Sequence, residues 1–127
     1  MKPGNKVFHV YYSNWKKAYP VTVSFRHYTA NNTLAVVLID AGTNVINSIF
    51  ATITVNIPGV FEDYQDETHA YIDTNNCPWA ENFLQENGIA KPWKNFKGKS
   101  GYCEYPLYEF DLNYKILFNL CHVSRQT

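Results

Sequence analysis

Four groups of side chains in this chain have types and spacings that could do chemistry. The first is Cys77, in the run Asp73-Thr74-Asn75-Asn76-Cys77-Pro78 just ahead of a helical pattern. A thiol at a helix start meets unpaired amides and the positive end of the helix dipole, which favour thiolate. With a histidine and an Asn or Asp it would make a cysteine hydrolase. His69 stands at the start of a strand, too far along extended chain to reach back to Cys77. His9, His27 or His122 would have to arrive through tertiary contacts. A capping or semi-buried thiol explains the same residues with fewer assumptions.

The second group is Cys77, Cys103, Cys121 and His122, which together could offer four metal ligands. No C-x-x-C or H-x-x-x-H spacing accompanies them, so no metal is expected. Glycine patterns of phosphate-binding loops are missing too, and no cofactor is expected. The third group is carboxylate. Asp40 and Asp73 stand at strand ends, and Glu62, Asp63, Asp66 and Glu67 form an acidic loop or irregular turn. Their spacing fits no divalent-ion nuclease. Asp73–Asn76 reads as an Asx turn before a helix. The fourth group is Lys91, Trp93, Lys94, Phe96, Lys97 and Lys99. Lysines interleaved with aromatic rings combine phosphate attraction with stacking platforms. The alternative is that Trp93 and Phe96 dock this segment onto the domain while the lysines stay in water.

These groups need a frame, and the chain is long enough for one compact domain over residues 1–127 and too short for two. Eleven basic and eleven acidic side chains cancel, which argues against a strongly basic nucleic-acid binder and against a whole-molecule mimic of nucleic acid. Three cysteines without paired spacing fit reduced thiols, and no leader or membrane-length apolar run is evident, so a soluble cytoplasmic protein is expected.

Strands are expected at Val7–Tyr12, around Val21–Phe25, at Leu34–Ile39, at Val45–Ile57 and at Tyr102–Phe110. Strands two to four form an antiparallel meander, because their connections are too short for crossovers. Ile49, Ala51, Ile53, Val55 and Ile57 should share one face of the longest. Pro106 points to an edge or a bulge. Lys91–Gly101 shows no period and reads as a loop. Leu112–Leu120 favours a strand, though Leu112, Ile116 and Leu120 also fit a helix.

One helix is clear. Pro78–Glu86 puts Trp79, Ala80, Phe83 and Leu84 on one face, Asn76 or Cys77 can cap its start, and Asn87-Gly88 supplies a left-handed end. The expected fold is α+β: an antiparallel sheet of five to seven strands with this helix, about 78–86, packed on one face.

Several strings look familiar together: Leu-Ala-Val-Val-Leu-Ile-Asp (34–40), Ala-Thr-Ile-Thr-Val-Asn-Ile-Pro (51–58), Ala-Tyr-Ile-Asp-Thr-Asn-Asn (70–76), Asn-Gly-Ile-Ala-Lys-Pro (87–92) and Ser-Gly-Tyr-Cys-Glu-Tyr-Pro-Leu-Tyr-Glu-Phe-Asp-Leu (100–112). They resemble a family of small domains of unknown function carried by plasmids, phages and conjugative elements of gut bacteria. Genes of this kind often lie among anti-defence genes, and some such small proteins are anti-CRISPR inhibitors of Cas9. The resemblance therefore implies a non-enzymatic protein that binds a Cas effector or its nucleic-acid complex, and it brings no catalytic residues. Contacts are expected from Glu62, Asp63, Asp66 and Glu67 against a basic protein surface, or from the Lys91–Lys99 run against bound nucleic acid. Two alternatives stay open: a nucleic-acid-binding accessory protein of a mobile element, and a cysteine hydrolase centred on Cys77.

Overall fold

The structure is a computed structural model, and it describes residues 6–46 and 48–111. The chain runs β1 (Phe8–Val10), β2 (Tyr19–His27), β3 (Leu34–Asp40), β4 (Ile49–Thr52), β5 (Thr54–Val55), a 3-10 turn (Gly59–Tyr64), β6 (His69–Ile72), α1 (Ala80–Glu86), β7 (Ala90–Ser100) and β8 (Cys103–Phe110). Eight strands among the described residues form two four-stranded antiparallel sheets, ordered β1-β2-β3-β4 and β5-β6-β8-β7. The α+β arrangement and the β2–β3–β4 meander match the sequence expectation. The single sheet of five to seven strands does not, for two physical reasons.

The first reason is a change of sheet inside Val45–Ile57. Ile53 donates its N–H to Val36 O at 3.0 Å and accepts from Asp73 N at 2.8 Å, so it bonds outward to both sheets. Ile53 and Thr54 are then buried in succession, and Ile49, expected to share a face with Ile53, is 56% exposed. A single strand with one period cannot do this; two short strands meeting at a corner can. The second reason is β7, expected as a loop and found as the longest strand. Four residues, Trp93–Phe96, stand between Pro92 (paired with Tyr108) and Lys97 (paired with Pro106), opposite Leu107 alone. That bulge erases the two-residue period from the sequence.

Pro106 lies on an interior strand, not an edge. Its missing N–H is tolerated because β6 pairs with β8 only from Leu107 onward and the bulge begins beside it.

The helix forms by burial rather than by length. Seven residues are marginal alone, and Ala80, Phe83 and Leu84 anchor them to the core. The expected caps are not used. Asn76 gives its backbone N–H and side-chain amide to the Asp73 carboxylate at 3.1 and 2.9 Å, so the Asx turn forms as expected, and α1 begins two residues after Pro78 with Trp79 as an uncapped start. The exit matches its sequence signal. Gly88 adopts φ +66° and donates to Gln85 O at 3.2 Å, while Ile89 donates to Leu84 O at 3.0 Å, which satisfies the last carbonyls.

One buried cluster combines side chains of β1, β2, β3, β6, β8 and α1, among them Val10, Val23, Leu38, Ile72, Leu84 and Tyr108. A smaller cluster of Ile57, Tyr71 and Leu107 lies under the 3-10 turn and β7. No helix among the described residues is long and apolar enough to cross a membrane. The expectations for Leu112–Leu120, Cys121 and His122 fall outside the described residues.

Gly98 closes the smaller cluster by its lack of a side chain. A Cβ there would stand 2.6 Å from the Tyr71 ring. That ring is fully buried, and its hydroxyl donates to Phe61 O at 2.9 Å, so it cannot swing away. Gly98→Ala is expected to lower stability by about 2 kcal/mol or more, read from the midpoint of urea unfolding.

Candidate binding surface

The two segments expected to bind partners fold against each other. Phe96 of β7 packs on Tyr64 and Phe61 of the 3-10 turn, with ring centroids 4.3 and 6.3 Å apart. Trp93 meets the His69 ring at 5.7 Å and Phe96 at 6.1 Å. The docking role foreseen for Trp93 and Phe96 is therefore real, yet both rings remain half-buried rather than covered. Beside them Val60 is 83% and Tyr64 43% exposed. An apolar and aromatic ridge results, flanked by exposed Lys94, Lys97 and Asp63.

The backbone under the ridge is strained. Lys94 and Asn95 take φ +53° and +54°, consecutive left-handed residues without glycine. Asn tolerates that region, whereas for Lys it costs about 1–2 kcal/mol. The Lys94 amine lies 4.7 Å from the Trp93 ring centre, an exposed cation–π contact worth about 0.5–1 kcal/mol. The contact does not cancel the strain.

The remaining expected contact residues have structural partners. Lys91 and Lys99 pair across the strand with Glu109 and Glu104 at 4.0 and 3.7 Å. Glu62 accepts from the Asn31 amide at 3.0 Å, and Gln65 ties the turn to Ile57 through bonds of 2.7 and 3.2 Å. Glu67 lies 3.8 Å from His27. Asp66 organises the next turn, accepting from Thr68 N, His69 N and His69 Nδ1 at 2.8–2.9 Å. Burial opposes its ionisation, but hydrogen bonds from Thr68 and His69 outweigh this and hold its carboxyl below the ordinary 3.8.

His69 was not singled out by the sequence beyond its distance from Cys77. Its Nε2 is buried without a hydrogen-bond partner among the described residues, 3.7 Å from Glu109. The i, i+3 spacing of Asp66 and His69 was the signal available. Val60 and Tyr64 gave none, because exposure of an apolar side chain is decided by the turn that carries it.

Cys77 is not a poised thiolate. Its sulfur is buried 3.9 Å from Thr52 O, and burial, then the Asp73 charge, push the thiol up to about 11. The helix start does not favour thiolate here, because Cys77 precedes the first helical turn and packs in the core, in line with the semi-buried thiol preferred from the sequence. Among the described residues no group of three His, Cys, Asp or Glu could hold a metal ion. An open cavity of about 660 Å³ between the end of α1 and the start of β7, lined in part by Gln85, Ile89, Lys91 and Glu109, lacks such a group as well.

The sequence profile of a family described as Domain of unknown function (DUF4313) matches residues 22–125, a span that includes the ridge and exceeds the resemblance seen over 34–112. No curated protein matches the chain, and no solved structure does.

Two predictions test this reading. Lys94→Gly relieves the left-handed strain and is expected to raise stability by about 0.5–1 kcal/mol in urea unfolding, whereas a loss would mean the bulge needs its lysine to fold. Asp66 has a folded pKa below its unfolded value, so its contribution is full above about pH 4 and fades as pH falls through the folded value. Asp66→Asn should lower stability at pH 7 and flatten the acid limb of the stability–pH curve. Parallel curves for the two proteins would contradict the assignment.

Proposed function

We propose that this chain, which belongs to the DUF4313 family, is a non-enzymatic binding protein that engages its partner through the ridge of Val60, Tyr64, Trp93 and Phe96. The observation that carries the proposal is the unrelieved strain at Lys94, between the half-buried rings of Trp93 and Phe96 in the chain. Strain of this kind persists where function requires a particular presentation of side chains. Aromatic anchors ringed by a few charges are also the usual composition of protein interface centres. The raised thiol of Cys77 weighs against nucleophilic chemistry.

For the partner, the reading is an anti-CRISPR activity: binding to a Cas effector such as Cas9, carried out in the cytoplasm by a protein of a mobile element. Its support is the resemblance in residues 70–76 and 100–112. The ridge fits a protein surface better than a nucleic acid, because two of the four run lysines are paired with Glu109 and Glu104. Within the acidic segment Asp63 is the exposed carboxylate with no partner among the described residues, so it is the one placed to meet a basic contact surface.

The test is calorimetric titration of the purified protein into a Cas9–guide complex, followed by the same titration with Tyr64→Ala and Val60→Ser. Binding that weakens by tenfold or more in the variants is expected. Absence of binding would remove the Cas partner, and binding that ignores both substitutions would remove the ridge.

A further inference from the structure

The zero net charge conceals a segregation along the chain. Residues 1–39 carry Lys2, Lys6, Lys16, Lys17 and Arg26 with no Asp or Glu, which leaves six basic against eleven acidic side chains beyond them. The structure gathers part of this basic third around an aromatic surface on the first sheet, far in composition from the ridge. Trp15 is its hub, with ring centroids 5.8 Å from Tyr12, 5.1 Å from Tyr19, 6.2 Å from Phe50 and 6.1 Å from Trp79. Trp79 is buried, but Tyr12, Trp15, Tyr19 and Phe50 are half-buried and Tyr11 is 65% exposed.

A cleft of about 200 Å³ runs beside these rings between β1 and α1, lined by His9, Tyr11, Tyr12, Ser13, Asn82 and Glu86 among others. Lys16 and Lys17 are exposed and follow Trp15 directly in the chain, the latter with its amine 5.1 Å from the Tyr19 ring centre, and exposed Lys6 lies 5.2 Å from the Phe8 ring centre of β1. None of the three lysines forms an ion pair among the described residues. Carboxylates enter through Glu86 on the cleft wall and Asp40, in register with Val21.

We propose that this surface binds single-stranded nucleic acid. Bases stack on Tyr11, Tyr12 and Trp15, Lys6, Lys16 and Lys17 meet phosphates, and Asn82 and Glu86, one helical turn apart, offer donor and acceptor groups to base edges. An acidic peptide would use the lysines and leave the ring faces idle. A duplex would keep its bases from the rings. Tyr11, Tyr12, Trp15 and the three lysines precede residue 22, where the family match begins, and Asn82 and Glu86 lie within it. The surface is independent of the ridge.

Fluorescence anisotropy of a labelled oligothymidylate of about 16 nucleotides, with the intact protein in a salt series, tests the proposal. Binding at low salt is expected, with log K falling against log salt at a slope of about −2 for three phosphate contacts. Lys16→Ala with Lys17→Ala should reduce that slope by about 1.4. Tyr11→Ala should weaken binding about fivefold or more without disturbing the core. Lys94→Ala with Lys97→Ala should change nothing. Failure to bind at low salt would overturn the proposal. So would loss confined to the Lys94 and Lys97 variant, or equally tight binding of polyglutamate.

Discussion

The structure depends on how β3 satisfies its backbone where β4 leaves it. Val36 is fully buried, and its two backbone groups find partners in consecutive residues: its carbonyl accepts from Ile53 N at 3.0 Å, and its N–H donates to Thr54 Oγ1 at 3.1 Å. A buried amide without a partner costs about 1–3 kcal/mol, so the second bond is what permits the chain to turn away at this point. Thr54 also meets the Tyr28 hydroxyl at 2.9 Å, and its own backbone begins β5. One side-chain hydroxyl thus closes the first sheet and opens the second. Valine has nearly the same shape and would leave Val36 N–H unpaired.

Everything on the second sheet inherits its placement from this corner. β5 pairs with β6 through Thr54–Ile72 and Val55–Tyr71, which directs Tyr71 towards the 3-10 turn and towards Gly98. The Tyr71 hydroxyl, pushed up to about 12 by burial and then by Tyr64, stays neutral and holds the turn by its bond to Phe61 O. Gln65 fixes the other end of the same turn through Ile57. The turn can then present Val60 and Tyr64 beside Phe96 only because β7 bulges there. Sheet corner, tyrosine, turn and bulge form one chain of dependence that ends at the ridge.

The parts of this chain that could be read from the sequence are those set by short-range rules. Asn87-Gly88 ended the helix as its left-handed preference requires, and Trp79, Ala80, Phe83 and Leu84 went inside because 3.6-residue spacing put them together. The Asx turn at Asp73 was legible because Asp and Asn three apart can close it locally. The sheet corner was not legible. Ile49–Ile57 alternates well, and only a long-range partner, Val36, makes Thr54 an inward residue. β7 was hidden for the converse reason: its ladder to β8 is strong, but a four-residue bulge, Pro92 and Gly98 leave no alternation to detect. Trp93 and Phe96 were found in sequence while Val60, Tyr64 and their meeting were not, since Phe96 reaches Tyr64 of the 3-10 turn from a strand that the sequence reading placed in a loop.

The lysines of β7 differ in what the fold asks of them. Among the described residues β7 is an edge strand, and edges are commonly guarded by lysine, proline and bulges against pairing with other chains. Lys91, Pro92 and Lys99 fit that role, with both lysines neutralised by a carboxylate directly across the ladder. Guarding does not account for Lys94. A bulge of any composition would interrupt the edge, and Gly or Asn at this position would do so without strain. Lysine stands where the backbone least favours it, with its amine over Trp93 and without an acidic partner among the described residues. The same strand therefore carries two kinds of lysine, and only the strained one requires an explanation outside the fold.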